Sequence, residues 1–176
     1  MHVQGSPEDK STKEAALAAL YDEYYDKIAR YIFVRIGDRA EAEDMAGEVF
    51  LKALQSLDSY KERGIPMHAW LFKIAHNLVV DYLRQAAKRK TVPIDTVDVA
   101  AVSDPQAIVE INMQLAGVAK ALDQLTPAQR QVIELRFFGG LTSEEASRIL
   151  NKSSGAVREM QSAAIRQLRK LLCEEP

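Results

Sequence analysis

Residues 69–90, AWLFKIAHNLVVDYLRQAAKRK, decide the fold class of this chain. Apolar residues recur at helical spacing through Trp70, Leu71, Ile74, Ala75, Leu78, Val79, Tyr82, Leu83 and Ala86, which defines a long helix with one buried face. Lys73, Asn77, Asp81, Arg84 and Lys88 follow one another at steps of four, four, three and four, so they share a second stripe. Arg84, Lys88, Arg89 and Lys90 close the segment with no acid among them. An amide, an aromatic cluster and a basic end suit nucleic acid: Asn pairs with an adenine edge, aromatics stack on unpaired bases, and Lys and Arg hold phosphates. A purely structural reading stands beside this one, since basic residues in a last turn also complement the helix macrodipole and most aromatics on an apolar face are core.

Outward from this segment, helix signals dominate and no strand is convincing. Ser11 with Glu14 has the spacing of a capping box, followed by an apolar face of Leu17, Leu20, Tyr21, Tyr24, Ile28, Tyr31 and Ile32 that Gly37 ends. Asp38 with Glu41 caps a second helix, with Ala42, Met45, Ala46, Val49, Phe50, Ala53, Leu54 and Leu57 inward and Glu41, Asp44 and Glu48 outward. The stretch Asp58 to Pro66 turns, and its Tyr60, Lys61 and Arg63 are not turn formers and are available for contact.

Residues 91–104, TVPIDTVDVAAVSD, hold Pro93 and several acids without a sustained period and read as an interdomain linker. Pro105 opens a further helix to about Leu125. Thr126, Pro127 and Gln129 form a cap, a first-turn proline and a capping-box partner for a helix reaching Gly139 and Gly140. Thr142 with Glu145 caps the next helix, and after Asn151 and Lys152 either Ser153 or Ser154 caps a last one to about Leu172. Two helices around a tight turn, at about 142–172, follow the pattern of a helix-turn-helix. Its turn, with Lys152 and Ser153, and its second helix, with Ser154, Gly155, Ala156, Arg158, Glu159, Ser162 and Arg166, are the candidates for contact at a major groove. There an Arg can read guanine and a Glu can accept from cytosine. A plain antiparallel helical pair remains the alternative.

The 176 residues carry a formal charge of −2, but the charge is unevenly placed. Residues 1–60 hold 7 Lys and Arg against 12 Asp and Glu, residues 61–90 hold 7 against 2, residues 91–125 hold 1 against 5, and residues 126–176 hold 8 against 6. Two positive segments, separated and preceded by negative ones, let two patches touch phosphate while other surfaces meet a different partner. One cysteine, Cys173, and three scattered histidines give no disulfide and no metal-ligand spacing, and no catalytic constellation is visible, so neither cofactor nor metal is expected. With no apolar run of bilayer length and no signal-peptide core, membrane insertion is not expected and a cytoplasmic location is. The first dozen residues are expected to be mobile.

The order of these motifs resembles the bacterial sigma-70 family of RNA polymerase sigma factors, in its extracytoplasmic-function (ECF) group. The resemblance is carried by LYDEYYDKIARYI from Leu20, AEDMAGEVFLKAL from Ala42, AWLFKIAHNLVVDYLR from Ala69, and LTPAQRQVIELRFFGGLTSEEASRIL from Leu125 with the SSGAVR turn. It implies an all-α fold of two small helical domains joined by a linker: a region 2-like bundle over 13–90 and a region 4-like helix-turn-helix domain over 105–176. It further implies a non-enzymatic factor that binds core RNA polymerase, directs promoter recognition and melting, and is held inactive by an anti-sigma factor. By position, Glu41, Asp44, Met45, Glu48, Val49 and Phe50 would dock on the polymerase. Tyr60, Lys61, Arg63, Lys73, Asn77, Asp81, Arg84, Lys88, Arg89 and Lys90 would read and hold the opened minus-ten element, and the helix-turn-helix would read the minus-thirty-five element.

The chain departs from the family pattern in places. Gly47 stands where Gln is common in the polymerase-binding motif, and a helical glycine costs about 1 kcal/mol relative to alanine. Ala156, Met160, Ser162 and Ala163 make the recognition helix poor in base, which implies fewer phosphate contacts. A DNA-binding regulator working without polymerase, or a helical protein-interaction module, are the competing readings.

Overall fold

The computed structural model describes residues 6–61, 64–89, 117, 118 and 120–173, and among these there is no strand. The linker at 91–104, the helix expected from Pro105 up to residue 116, and the candidate residues Arg63 and Lys90 lie outside the described residues.

Helix α1 (Pro7–Ile36) starts earlier than its sequence suggested. Ser6 accepts a hydrogen bond from the Asp9 N–H, Pro7 fills the first helical position, and Glu8 and Asp9 face the positive end of the dipole. Ser11 and Glu14 therefore lie inside a helix already capped, which takes in residues 7–12. Gly37 closes α1 at φ 76°, a left-handed conformation that glycine adopts without strain. Asp38 caps α2 (Arg39–Gln55) by accepting from the Glu41 N–H at 3.1 Å. A single 3₁₀ turn at Leu57–Ser59 leads to the loop before α3 (Met67–Arg89).

In the second half, α4 (Pro127–Ile133) carries the reciprocal capping box of Thr126 and Gln129, both bonds at 3.2 Å. It widens into a π turn, Glu134–Phe138. Thr142 and Glu145 box the start of α5 (Ser143–Leu150) at 3.1 Å each. Asn151 turns the chain at φ 54°, and the Ser153 hydroxyl accepts from the Ala156 N–H at 3.1 Å to cap α6 (Ser154–Cys173). Of the two serines that could cap this helix, Ser153 does so.

Packing in α1, α2 and α3 follows the apolar stripes, with two exceptions. Tyr21 and Leu54, read as inward, are exposed. The first bundle buries Ile28, Tyr31 and Ile32 of α1, Ala46, Val49 and Ala53 of α2, and Leu71, Phe72 and Val79 of α3. The same core continues without a break into Val132, Leu135, Leu141, Ala146, Ile149 and Val157 of the second half. Leu122, Leu125, Ile133 and Ala164 form a smaller cluster beneath α6, with Val34 of α1 against it. The two bundles thus touch directly. Gly139 permits a close approach: a Cβ there would lie 3.2 Å from the Phe72 ring across the contact, and 2.6 Å from the Leu135 carbonyl oxygen of its own bundle.

Candidate nucleic-acid interface

Helix α3 builds the first candidate face. Burial of Leu71, Ala75 and Val79 fixes its rotation, so Lys73, Asn77, Asp81, Arg84, Lys88 and Arg89 are all exposed. Asp81 and Arg84 pair at 3.6 Å on the surface, where such a pair contributes little and yields readily to a phosphate. Lys61 is exposed on the preceding loop.

Tyr60 is placed differently from its sequence expectation. It is only 8% exposed, its ring lies 4.9 Å from that of Trp70, and its hydroxyl donates to the Ile65 carbonyl at 3.0 Å. It shapes the loop from inside rather than offering a stacking surface.

Helix α6 builds the second face. Val157 and Ala164 are buried, which turns Arg158, Glu159, Ser162 and Arg166 outward together around one shallow hollow with Ala163. Lys152 and Ser153 are exposed at the turn, and Ser154, Gly155 and Ala156 are half-buried in the first turn of α6. Arg136 steadies this helix from behind, donating to Gln161 at 2.8 Å and to the Leu141 carbonyl.

On α2 the structure separates residues that the sequence grouped. Asp44 and Glu48 are exposed and Glu41 is half-buried, whereas Met45, Val49 and Phe50 point into the core. The apolar surface available beside the acids belongs instead to Leu51, 55% exposed, and Leu54, 51% exposed, with Tyr21 of α1 packed edge-on to Phe50. By sequence Leu54 belongs to the apolar stripe of α2, and Leu51, which falls outside that stripe, was the available sign of this surface.

Between the two faces lies a polar junction. Glu134, fully buried, sits 3.1 Å from Arg35 Nε of α1 and accepts from Arg130 Nε at 2.8 Å. Arg130 also donates to the Val34 carbonyl at 3.2 Å. Burial pushes the Glu134 carboxyl above its usual value against the opposing pull of Arg35 and Arg130. Nearby, burial and then Arg35 lower His76, which lies 3.4 Å from the hydroxyl of the buried Tyr31. Closer to the loop, His68 stacks on Tyr24 and meets Glu145 at 3.2 Å. A carboxylate within the apolar run VIEL was the available sign of this junction.

The Sigma-70 region 2 family model matches residues 20–89, and the Sigma-70, region 4 family model matches residues 121–170. The chain is 31% identical over 166 residues to the ECF RNA polymerase sigma factor SigL of Mycobacterium tuberculosis, covering 93% of each. The chain belongs to the extracytoplasmic-function sigma factors. This sigma factor is also 35% identical over 162 residues to BldN of Streptomyces coelicolor, covering 91% of itself and 61% of that protein's length. Its fold matches that of RpoE from Bartonella quintana, crystallised with the anti-sigma factor NepR, at a TM-score of 0.67 and 23% identity over 90% of this chain and 98% of that one. As a sigma factor it is a transcription initiation factor and not an enzyme. No described helix is long and apolar enough to cross a membrane.

Proposed function

We propose that this chain binds core RNA polymerase in the cytoplasm and directs it to promoters by reading two DNA elements with its two exposed basic helices. The observation that carries this reading is the pairing of two outward stripes on separate bundles. Lys73, Asn77, Arg84, Lys88 and Arg89 lie on α3, and Arg158, Ser162 and Arg166 lie on α6. The α3 stripe, with Lys61, holds the opened minus-ten strand, while α6 reads the minus-thirty-five duplex from the major groove. Melting needs no chemistry from the protein. Unstacking costs a few kcal/mol per step, which base capture and phosphate contacts offset.

Polymerase docking falls to the acid face of α2, where Asp44 and Glu48 complement a basic partner and Leu51 and Leu54 supply apolar contact. The buried Met45, Val49 and Phe50 support that face from beneath. An anti-sigma factor holds the chain inactive, a proposal supported by the fold shared with RpoE, which was crystallised with NepR.

Run-off transcription with purified core polymerase and a genomic fragment library tests the reading. New starts sharing two upstream motifs are expected only when this chain is present. Polymerase binding without new starts would make it an inhibitory sigma-like factor, and neither binding nor starts would favour a regulator working through the helix-turn-helix alone. Pull-down from the native cell tests the inhibitor, which should co-purify.

A further inference from the structure

We propose that Arg136 and Gln161, a hydrogen-bonded pair beneath the recognition helix, fix the rotation of α6 and so decide which base edge Arg158 meets at the minus-thirty-five element. Both are positioning residues, and the proposal rests on the reading of α6 as the helix that enters the major groove.

The apolar grip on α6 leaves its rotation loosely defined. Val157 and Ala164 are its buried residues, with Met160, Ile165 and Leu168 packed less deeply. Apolar contact is non-directional, so it resists separation more than it resists a turn of the helix about its own axis. Gln161 stands between the two buried residues, four after Val157 and three before Ala164, on the same side of the helix. Its amide oxygen accepts from Arg136 Nε at 2.8 Å. A hydrogen bond is directional, and a turn of α6 that the apolar contacts allow would leave two half-buried polar groups without each other. Such a pair inside an apolar contact contributes register more than stability, as a single polar residue does in a coiled-coil seam.

The anchor for this bond is itself held from two further sides. Arg136 lies at the middle of the π turn Glu134–Phe138, which the Gly139 N–H closes by donating to the Glu134 carbonyl at 3.0 Å. Turns of this type concentrate at functional sites. Arg136 Nη1 donates to the Leu141 carbonyl, immediately before Thr142 caps α5. A guanidinium presents its donors in a rigid planar fork, so one side chain ties the π turn, the entry to α5 and the flank of α6 at set angles.

Small rotations of α6 are amplified at its reading face. Arg158 lies one turn before Gln161, and Ser162 directly after it, on the outward stripe that continues to Arg166. A rotation of about 20° moves a side-chain tip about 6 Å from the helix axis by about 2 Å. That displacement breaks a bidentate contact to guanine, whose donors and acceptors must stand about 3 Å apart. Loss of the pin therefore relaxes sequence preference while the charge that α6 offers to phosphate is unchanged.

The test uses holoenzyme formed from the full chain and core polymerase. Its template is a promoter recovered by run-off transcription, with the upstream element randomised and each template carrying a transcribed barcode. Gln161→Leu removes the acceptor at similar volume and leaves Arg136 its bond to Leu141, so the unfolding midpoint and the polymerase affinity should be kept. Discrimination at the position that Arg158→Ala relaxes should fall about fivefold or more, with the salt slope of promoter binding unchanged. Gln161→Glu keeps the acceptor and should keep the wild-type preference. In a chain already carrying Arg158→Ala, Gln161→Leu should change nothing further at that position.

A Gln161→Leu holoenzyme with wild-type preference overturns the proposal. So does a loss of preference that appears undiminished in the Arg158→Ala background, or one that comes with equal losses of stability and polymerase binding, since the pair would then be a structural prop alone. If the wild-type holoenzyme transcribes but shows no upstream base preference, the reading of α6 falls and the proposal falls with it.

Discussion

Arg35 of α1 and Glu134 of the π turn meet at 3.1 Å in a position where the carboxylate has no contact with solvent. This pair joins the two bundles, and its energetics are those of a buried charge incompletely compensated. Removing one partner of such a pair leaves the other stranded and costs about 3–5 kcal/mol. Arg35→Met keeps the apolar stem and leaves Glu134 with Arg130, so a loss of about 3 kcal/mol is expected. Urea denaturation followed by circular dichroism measures it, and an unchanged midpoint would remove the pair from the account of stability.

The same carboxyl makes stability depend on pH. Burial raises its pKa above 4.5 in the folded protein while Arg35 and Arg130 pull it down, so the folded state binds the proton more tightly than the unfolded one. Its contribution is complete below 4.5 and is lost as pH rises through the raised value. His76 acts in the opposite sense: it is lowered from 6.5 by burial and by Arg35, so its contribution is present above 6.5 and is lost as pH falls through the lowered value. Tyr31, raised by burial, also faces Arg35 but stays neutral throughout this range. Comparison of wild type with Glu134→Gln cancels the histidine. The wild type should gain relative stability as pH falls toward 4.5, and a flat difference would contradict the assignment.

Glycines separate the junction from the helices. At Gly139 an added Cβ would stand 2.6 Å from a backbone oxygen and 3.2 Å from the Phe72 ring, so Gly139→Ala should cost about 1–3 kcal/mol. Gly47 lies within α2 with nothing within 4 Å of such a Cβ, and Gly47→Ala should gain about 1 kcal/mol. Thermal unfolding of the two variants should therefore shift in opposite directions.

The helices were legible in the sequence because caps and apolar periods are local. Asp38, Thr126 with Gln129, and Thr142 with Glu145 cap where their spacing placed them. Ser11 misled because an equally good cap, Ser6 with Pro7, lay one turn earlier. Exposure was less legible. Leu54 continues the apolar stripe of α2 by sequence but falls beyond the cover of α1 and α3, while Met45, Val49 and Phe50 lie under it. Of the junction only the lone carboxylate in the run VIEL was legible; its partner was not, since the contact of Arg35 with Glu134 joins bundles that no local period relates.

The two basic helices should respond differently to salt and sequence. Arg158, at the exposed start of α6, is placed to read a base edge, so Arg158→Ala should cost about 1–3 kcal/mol and relax preference at one upstream position. Arg166 lies two turns further on and is placed for phosphate. Arg166→Ala should weaken all sequences alike and reduce the salt slope of binding by about one. Titrations of holoenzyme on promoter DNA at several salt concentrations distinguish these outcomes.

Helix α2 offers the sharpest separation of docking from folding. Leu51 and Leu54 are more than half exposed, so Leu51→Asp with Leu54→Asp should change stability by no more than about 0.5 kcal/mol per site. Leu51 lies one turn beyond Glu48 and Leu54 one turn beyond Leu51, however, and an apolar contact next to complementary charge is where polar replacement weakens a complex most. Core polymerase affinity should therefore fall about tenfold or more in a folded protein. Met45→Ala should do the reverse, costing about 2–5 kcal/mol of stability because the side chain is buried, with affinity unchanged for the fraction that remains folded. If instead the Leu51 and Leu54 variant binds polymerase normally, the docking surface lies elsewhere on the chain and the exposed leucines need another occupant.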